Sequence, residues 1–130
     1  MIGLDTNVLV RFFMQDDAAQ SRRANRLIQS LTPDAPGFVS VVSLIELTWV
    51  LRSQYRLSKA QLVLCIERLL DSSELTIESQ SAVTEAIRRF AEIKCDFADC
   101  LIGQLGSAAG CTETVTFDVK ASKLAGMKLL

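Results

Sequence analysis

The chain has 130 residues, of which 49% are hydrophobic and 22% are charged, a composition typical of one folded domain rather than of a disordered segment. The formal net charge at pH 7 is −1, which argues against a broadly basic nucleic-acid-binding surface. The four cysteines form no C-x-x-C pair and the sequence has no histidine, so a zinc site is disfavoured and Ser-His-Asp and Cys-His catalysis are excluded.

The sequence contains no membrane or export signal of the usual kinds. No apolar stretch approaches the roughly 18 residues that a membrane-spanning helix needs. The first residues lack the basic segment with which secretory signals begin. We therefore expect a cytoplasmic protein in which residues 1–130 form a single domain.

The hydrophobic pattern predicts short strands that alternate with helices along the chain. The predicted elements, in chain order, are a strand over residues 1–4, helices over 6–13 and 17–31, a strand over 38–40, helices over 42–52 and from a capping Ser58 to 70, a strand over 75–77, helices over 81–94 and 96–109, a strand over 114–117, a helix over 118–125 and a strand over 128–130. Such alternation indicates a three-layer α/β/α sandwich with a short, mainly parallel central sheet. In sheets of this kind, functional side chains gather at the carboxyl ends of the strands.

Four acidic residues interrupt apolar runs of the sequence: Asp5, Glu46, Asp99 and Asp118. A carboxylate among apolar atoms is costly unless it is paired, protonated or bound to a metal ion. Asp5 and Asp118 each follow a predicted strand and precede a predicted helix. A role as helix N-cap therefore explains each of them as well as a functional role does. Glu46 lies in the middle of an apolar helix, where capping is no explanation. A surface stripe with Ser43 and Ser53 would also explain it, but we expect a helix this apolar to be buried on most sides, and this favours a functional role.

Asp96 and Asp99 stand at the start of a predicted helix with the spacing of a capping box. Asp96 fits the cap and Asp99, one turn into the helix, fits a functional acid. Gly103, Gly106 and Gly110 follow on the same helix, and glycines there predict close packing against a neighbouring backbone.

The segments around these acids resemble the successive acidic motifs of PIN-domain nucleases, most closely the VapC-type toxins of bacterial type II toxin–antitoxin systems. The matching segments are residues 2–9 (IGLDTNVL), 43–47 (SLIEL), 96–102 (DFADCLI) and 116–118 (TFD). The resemblance covers essentially the whole chain, and the segments stand in the order of the family.

The resemblance implies a metal-dependent endoribonuclease that hydrolyses RNA phosphodiester bonds as the toxin of such a pair. Asp5, Glu46, Asp99 and Asp118 would be the catalytic, metal-binding acids. Auxiliary roles would fall to Asp96, Thr6, Asn7 and Thr116. The cofactor would be Mg²⁺, or alternatively Mn²⁺, because hard oxygen ligands suit these ions. The expected partners are the RNA substrate, a cognate antitoxin and further copies of the chain in a homodimer or higher homo-oligomer, with no membrane involved.

Three groups of basic residues are candidates for contacts with RNA phosphates. They are Arg11, the trio Arg22, Arg23 and Arg26, and the pair Lys120 and Lys123. A solvated helix face explains these charges equally well.

Two other functions fit parts of the sequence. A non-catalytic PIN-like module that binds RNA or protein would keep the same fold. An Asp-based phosphatase would use Asp5 as its nucleophile, but Asn7 stands where such enzymes have a second aspartate, and Glu46 would remain unexplained.

Overall fold

A computed structural model describes all 130 residues of the chain. They divide into two compact units, Met1–Glu78 and Ser79–Leu130. Five strands and six α-helices alternate along the chain, and every paired strand is parallel to its neighbour. The predicted α/β class is therefore confirmed.

The first unit is built around a three-stranded sheet in the order β1-β2-β3. Its elements are β1 (Ile2–Gly3), α1 (Thr6–Met14), α2 (Ala18–Ser30), β2 (Gly37–Val39), α3 (Val41–Ser53), α4 (Lys59–Asp71) and β3 (Leu75–Ile77). In the register of the sheet, Ile2 lies beside Gly37, which in turn lies beside Leu75. Leucines on the helices, such as Leu9 on α1 and Leu44 on α3, are completely buried and supply the core of this unit.

The second unit contains a two-stranded sheet and two helices. Its elements are α5 (Gln80–Glu92), α6 (Phe97–Ala108), β4 (Thr114–Thr116), a short 3-10 turn (Ala121–Lys123) and β5 (Met127–Leu129). Helices α5 and α6 pack together, with the rings of Phe90 and Phe97 edge to face at 6.1 Å between centroids. The buried face of α5 carries Val83 and Ile87, at the i, i+4 spacing of an amphipathic helix.

The predicted helix ends agree with the local chemistry that produces them. Ser58 caps α4 in a complete capping box with Gln61. Gly110, with a φ of +91°, adopts the left-handed conformation that follows the end of α6. The close packing predicted for the glycines of α6 involves side chains rather than a backbone, and nothing lies within 4 Å of a Cβ added at Gly110. At Gly106 an added Cβ would lie 2.5 Å from Thr114 Oγ1 of β4. At Gly103 the corresponding neighbour is Met127 Sδ of β5, at 3.2 Å.

The five strands pair in two parallel ladders, one of three strands and one of two, and each strand is only two or three residues long. One prediction about the elements was wrong. The helix predicted over residues 118–125 is reduced to the 3-10 turn Ala121–Lys123. Asp118 Oδ1 accepts the N–H groups of Lys120 and Ala121, as an N-cap does, but the backbone becomes extended at Leu124, with a ψ of 141°, so the helix ends after one turn.

No helix in the chain combines the length and the hydropathy that crossing a bilayer demands.

Candidate active site

Asp5 follows β1 after one intervening residue, Leu4, and occupies the N-cap position of α1. Its Oδ1 accepts the N–H of Thr6 at 2.8 Å, in the extended backbone conformation usual for a cap. The carboxylate is exposed, and its second oxygen makes no protein hydrogen bond. The capping role weighed for Asp5 is therefore real, and it leaves one oxygen available for a ligand.

Thr6 connects this cap to the acid on α3. Its side chain is nearly buried, at 8% exposure, and its Oγ1 donates to Glu46 Oε2 at 2.8 Å. The two residues are 40 positions apart in the sequence. A hydroxyl that donates to a carboxylate fixes the orientation of that carboxylate, and this fits the auxiliary role predicted for Thr6.

The two acids of the first unit line one groove. The groove has a volume of about 340 Å³ and is lined by Asp5, Thr6, Asn7, Val10, Arg11, Glu46, Val50, Gln54 and Tyr55. Asn7 is exposed on its wall, next to the Asp5–Thr6 cap. This groove thus brings together the first two predicted motifs and two of their predicted auxiliary residues.

The premise that all four acids sit among apolar atoms was wrong. Helix α3 has an exposed face on which Glu46 lies with Val42 and Trp49, which are 63% and 65% exposed. Successive helical residues point about 100° apart, so the apolar sequence neighbours of Glu46 face elsewhere. Asp118 is exposed as well. Only Asp99 is withdrawn from water, and it is half-buried.

The second unit holds an acidic trio of Asp96, Asp99 and Asp118. Burial raises the pKa of Asp99 above its usual range, and the negative charges of Asp96 and Asp118 raise it further. The thiol of Cys95 donates to Asp99 Oδ2 at 3.8 Å, which opposes the shift. Burial raises the pKa of Cys95, and the negative charges of Asp99, Asp96 and Asp118 raise it further, while a hydrogen bond with the backbone of Asp96 opposes the shift. The negative charges of Asp96 and Asp118 therefore disfavour the ionised form of Asp99.

Asp96 occupies the N-cap position of α6, but its side chain makes no capping hydrogen bond. The predicted capping box with Asp99 is therefore absent. The side chain of Asp96 is exposed and accepts no backbone N–H of α6, so its carboxylate oxygens can contact a ligand instead.

Asp118 and Thr116 shape the turn after β4. Asp118 Oδ1 accepts the N–H groups of Lys120 and Ala121 at 2.8 and 3.2 Å. The hydroxyl of Thr116 accepts the N–H of Asp118 at 3.0 Å. Thr116 thus orients the backbone of the last acid rather than its carboxylate.

Three residues of the sites were not foreseen as neighbours of the acids. Cys95 stands four residues before Asp99, immediately ahead of the N-cap of α6, and this nearness in sequence is a signal that could have been used. Tyr55 and Gln54 line the groove of the first unit, and nothing in their local sequence distinguishes them from ordinary surface residues.

The donor chemistry of both acid sets fits a hard divalent cation. Every candidate ligand is a carboxylate oxygen, and the mutual repulsion within the trio is of the kind that a nearby cation relieves. No set of three or more aspartate, glutamate or cysteine side chains is arranged closely enough to enclose an ion.

The chain is similar to proteins of known family. The family model described as "PIN domain" matches residues 2–127. A VapC ribonuclease from Aquifex aeolicus (strain VF5) is 25% identical over 122 residues, which are 93% of this chain and 90% of that protein. The resemblance inferred from the acidic motifs is thereby confirmed, and so is the PIN-like α/β fold. Since the family model covers nearly the whole sequence, the chain belongs to the PIN domain family.

Proposed function

We propose that this PIN domain is a metal-dependent endoribonuclease that acts in the cytoplasm as the toxin of a toxin–antitoxin pair. The observation that carries the proposal is the presence of an acid at each of the four motif positions in a chain of this family. The likeness to a VapC ribonuclease supports RNA as the substrate.

Asp5, Glu46, Asp99 and Asp118 would hold the metal ion, either Mg²⁺ or Mn²⁺, because these ions prefer carboxylate oxygens. The bound ion would supply Lewis acidity and an activated water for hydrolysis of a phosphodiester. Asp96, whose carboxylate makes no cap bond, would add negative charge beside Asp99.

The neighbouring polar groups would orient the acids. The backbone N–H of Thr6 holds Asp5 Oδ1, and the hydroxyl of Thr6 holds Glu46 Oε2. Each of these acids keeps one oxygen without a protein hydrogen bond, and both acids line the same groove. In the second unit, two backbone N–H groups hold Asp118 Oδ1 and fix the turn on which that acid stands. Fixed carboxylates bind a cation without first losing side-chain freedom.

The proposed partners are a cognate antitoxin and further copies of the chain. Several large apolar side chains lie in water, among them Phe117, which is 80% exposed, and Trp49. Exposed apolar side chains indicate a partner surface where they share one face, as Val42 and Trp49 do on α3.

The test is cleavage of an end-labelled single-stranded RNA by the purified chain with Mg²⁺, with Mn²⁺ and with EDTA. We expect products only with a metal ion, and we expect Asp5→Asn and Asp99→Asn to abolish them while both variants remain folded by circular dichroism. Glu92→Gln, which removes an exposed acid outside the four motifs, is the control and should cleave normally. Undiminished cleavage by either aspartate variant would refute the assignment. RNA binding without cleavage would favour the non-catalytic module.

A further inference from the structure

The guanidinium of Arg11 is held in a fixed position beside the two acids of the first unit. Arg11 lies in the last turn of α1 and lines the same groove as Asp5 and Glu46. Its Nε donates to Gln20 Oε1 at 2.6 Å. Its Nη1 donates to Asp16 Oδ1 at 3.2 Å and lies 3.3 Å from the hydroxyl of Tyr55.

Tyr55 and Asp16 also hold each other. The hydroxyl of Tyr55 donates to Asp16 Oδ2 at 2.7 Å. This hydrogen bond lowers the pKa of Asp16 and raises the pKa of Tyr55, so the pair is a carboxylate and a neutral phenol at neutral pH. Both oxygens of Asp16 are therefore engaged, one by Arg11 and the other by Tyr55, and the arginine is anchored from two sides.

One edge of the guanidinium remains available. Asp16 contacts Nη1 alone rather than binding the fork of the guanidinium through both of its oxygens, and Nη2 has no hydrogen-bond partner in the chain. The side chain of Arg11 is 29% exposed, so a ligand can reach it from the groove. A planar guanidinium with a free edge is suited to binding a phosphate oxygen.

The other basic candidates lack such an anchor. Arg22, Arg23 and Arg26 are exposed on α2 and make no side-chain hydrogen bond. A free arginine loses rotamer freedom when it binds, whereas a fixed one has already lost it on folding. The anchored position of Arg11 thus distinguishes it among the candidate phosphate ligands.

We propose that Arg11 binds a backbone phosphate of the RNA strand next to the phosphodiester that is cleaved, and that Asp16, Gln20 and Tyr55 are its positioning residues. This inference rests on the proposed function, since it takes RNA as the ligand of the groove. It adds a cationic contact to a groove whose other charged side chains are acids.

The test is binding of a fluorescein-labelled single-stranded RNA, followed by fluorescence anisotropy in EDTA over a series of salt concentrations. Arg11→Gln should raise the Kd about tenfold and reduce the slope of log K against log salt by about 0.7, the value for one phosphate contact on a single strand. Arg11→Lys should keep the slope and raise the Kd less, because the charge remains and the fork is lost. Tyr55→Phe should, like Arg11→Lys, keep the slope and raise the Kd less than Arg11→Gln does, since it removes a contact that holds Arg11 but leaves the charge of Arg11 in place.

Arg88→Gln is the matched control. Arg88 pairs with carboxylates, those of Glu85 and Glu92, just as Arg11 pairs with Asp16. It lies on α5 and does not line the groove. Its loss should leave both the Kd and the salt slope unchanged. In steady-state cleavage, Arg11→Gln should raise KM with little change in kcat, as expected when a contact binds ground state and transition state equally.

The results separate this inference from the proposed function. If Arg11→Gln and Arg11→Lys bind RNA with the Kd and slope of the wild type, the phosphate site is refuted even where the wild type cleaves RNA. If binding depends on Arg11 but no RNA is cleaved with Mg²⁺ or Mn²⁺, the phosphate site stands and the proposed nuclease activity fails.

Discussion

A single hydroxyl, that of Thr6, ties the start of α1 to the acid on α3. The same residue donates its backbone N–H to Asp5 and its hydroxyl to Glu46, so two acids from distant parts of the sequence are held by one residue. Groups that orient ligands in this way commonly affect affinity and activity although they touch neither ion nor substrate.

Thr6→Val removes this hydroxyl with little change in shape. We expect RNA cleavage to fall by about 10–100-fold, the usual range for the loss of a group that orients a metal ligand. Thr6→Ser keeps the hydroxyl and should retain most of the activity. Initial cleavage rates at saturating Mg²⁺ measure both variants, and equal rates for valine and wild type would rule out an orienting role.

Asp99 is expected to lower the stability of the metal-free protein at neutral pH. Its pKa is raised in the folded state, so the folded chain holds a proton that the unfolded chain has released just above pH 3.8. Stability therefore falls as pH rises from 3.8 through the folded-state pKa, and the ionised form destabilises the fold above it.

Asp99→Asn should raise the Tm at pH 7 in EDTA while abolishing cleavage. The rise will be modest because Asp99 is only half-buried. Asp34→Asn, an exposed acid in a loop, is the control, and a Tm for Asp99→Asn at or below the wild-type value would contradict the prediction.

At the scale of the elements, the two glycines inside α6 differ in how easily the side chain next to each of them can move. Gly106 packs against the hydroxyl of Thr114 on β4, which is fixed to a strand. Gly103 packs against the thioether of Met127, which is long and flexible and can move aside.

Gly106→Ala should destabilise the protein by about 1–3 kcal/mol, the typical cost of forcing an extra methyl into a packed contact. Gly103→Ala should be close to neutral, because a small displacement of Met127 is offset by the better helix propensity of alanine. Urea unfolding monitored by circular dichroism measures both. Adding Thr114→Ala to Gly106→Ala removes the clashing oxygen and should restore part of the lost stability; a double variant no more stable than Gly106→Ala would place the cost elsewhere.

The elements were largely predictable from sequence because their signals are local. Helical periodicity marked the positions of α1 to α6, and Ser58 and Gly110 marked two of their ends. The shortness of the helix after Asp118 was not predictable, since Asp118 holds the backbone N–H groups that an N-cap holds, and the early end at Leu124 leaves no signal at the cap. Strand pairing into two ladders depends on contacts between distant residues, for which the pattern of a single strand carries no information.

The candidate site was predictable in part for the same reason. The short motifs identify the acids, but not their surroundings. The contact between Thr6 and Glu46 spans 40 residues and that between Arg11 and Tyr55 spans 44, and neither leaves a local signature. The exposure of Glu46 was misjudged because its apolar neighbours in sequence point to other sides of α3.

At the scale of the whole molecule, metal binding provides a test of whether the two acid sets serve one reaction. An ion that binds only the folded chain raises its stability by RT ln(1 + [L]/Kd), about 2.7 kcal/mol at a concentration of 100 Kd. We expect Mn²⁺ and Mg²⁺ to raise the Tm of the wild type in thermal unfolding, and Asp5→Asn, Glu46→Gln, Asp99→Asn and Asp118→Asn each to reduce that increase. If the variants of one unit keep the full increase, the acids of that unit do not bind the stabilising ion.

The exposed indole of Trp49 gives the chain a built-in optical reporter. It is the only tryptophan in the sequence, it stands in water, and it follows Glu46 by one helical turn. Excited indoles emit at longer wavelength in water than in apolar surroundings, so a protein that covers this side of α3 should shift the emission to the blue, and the complex can be titrated without any label.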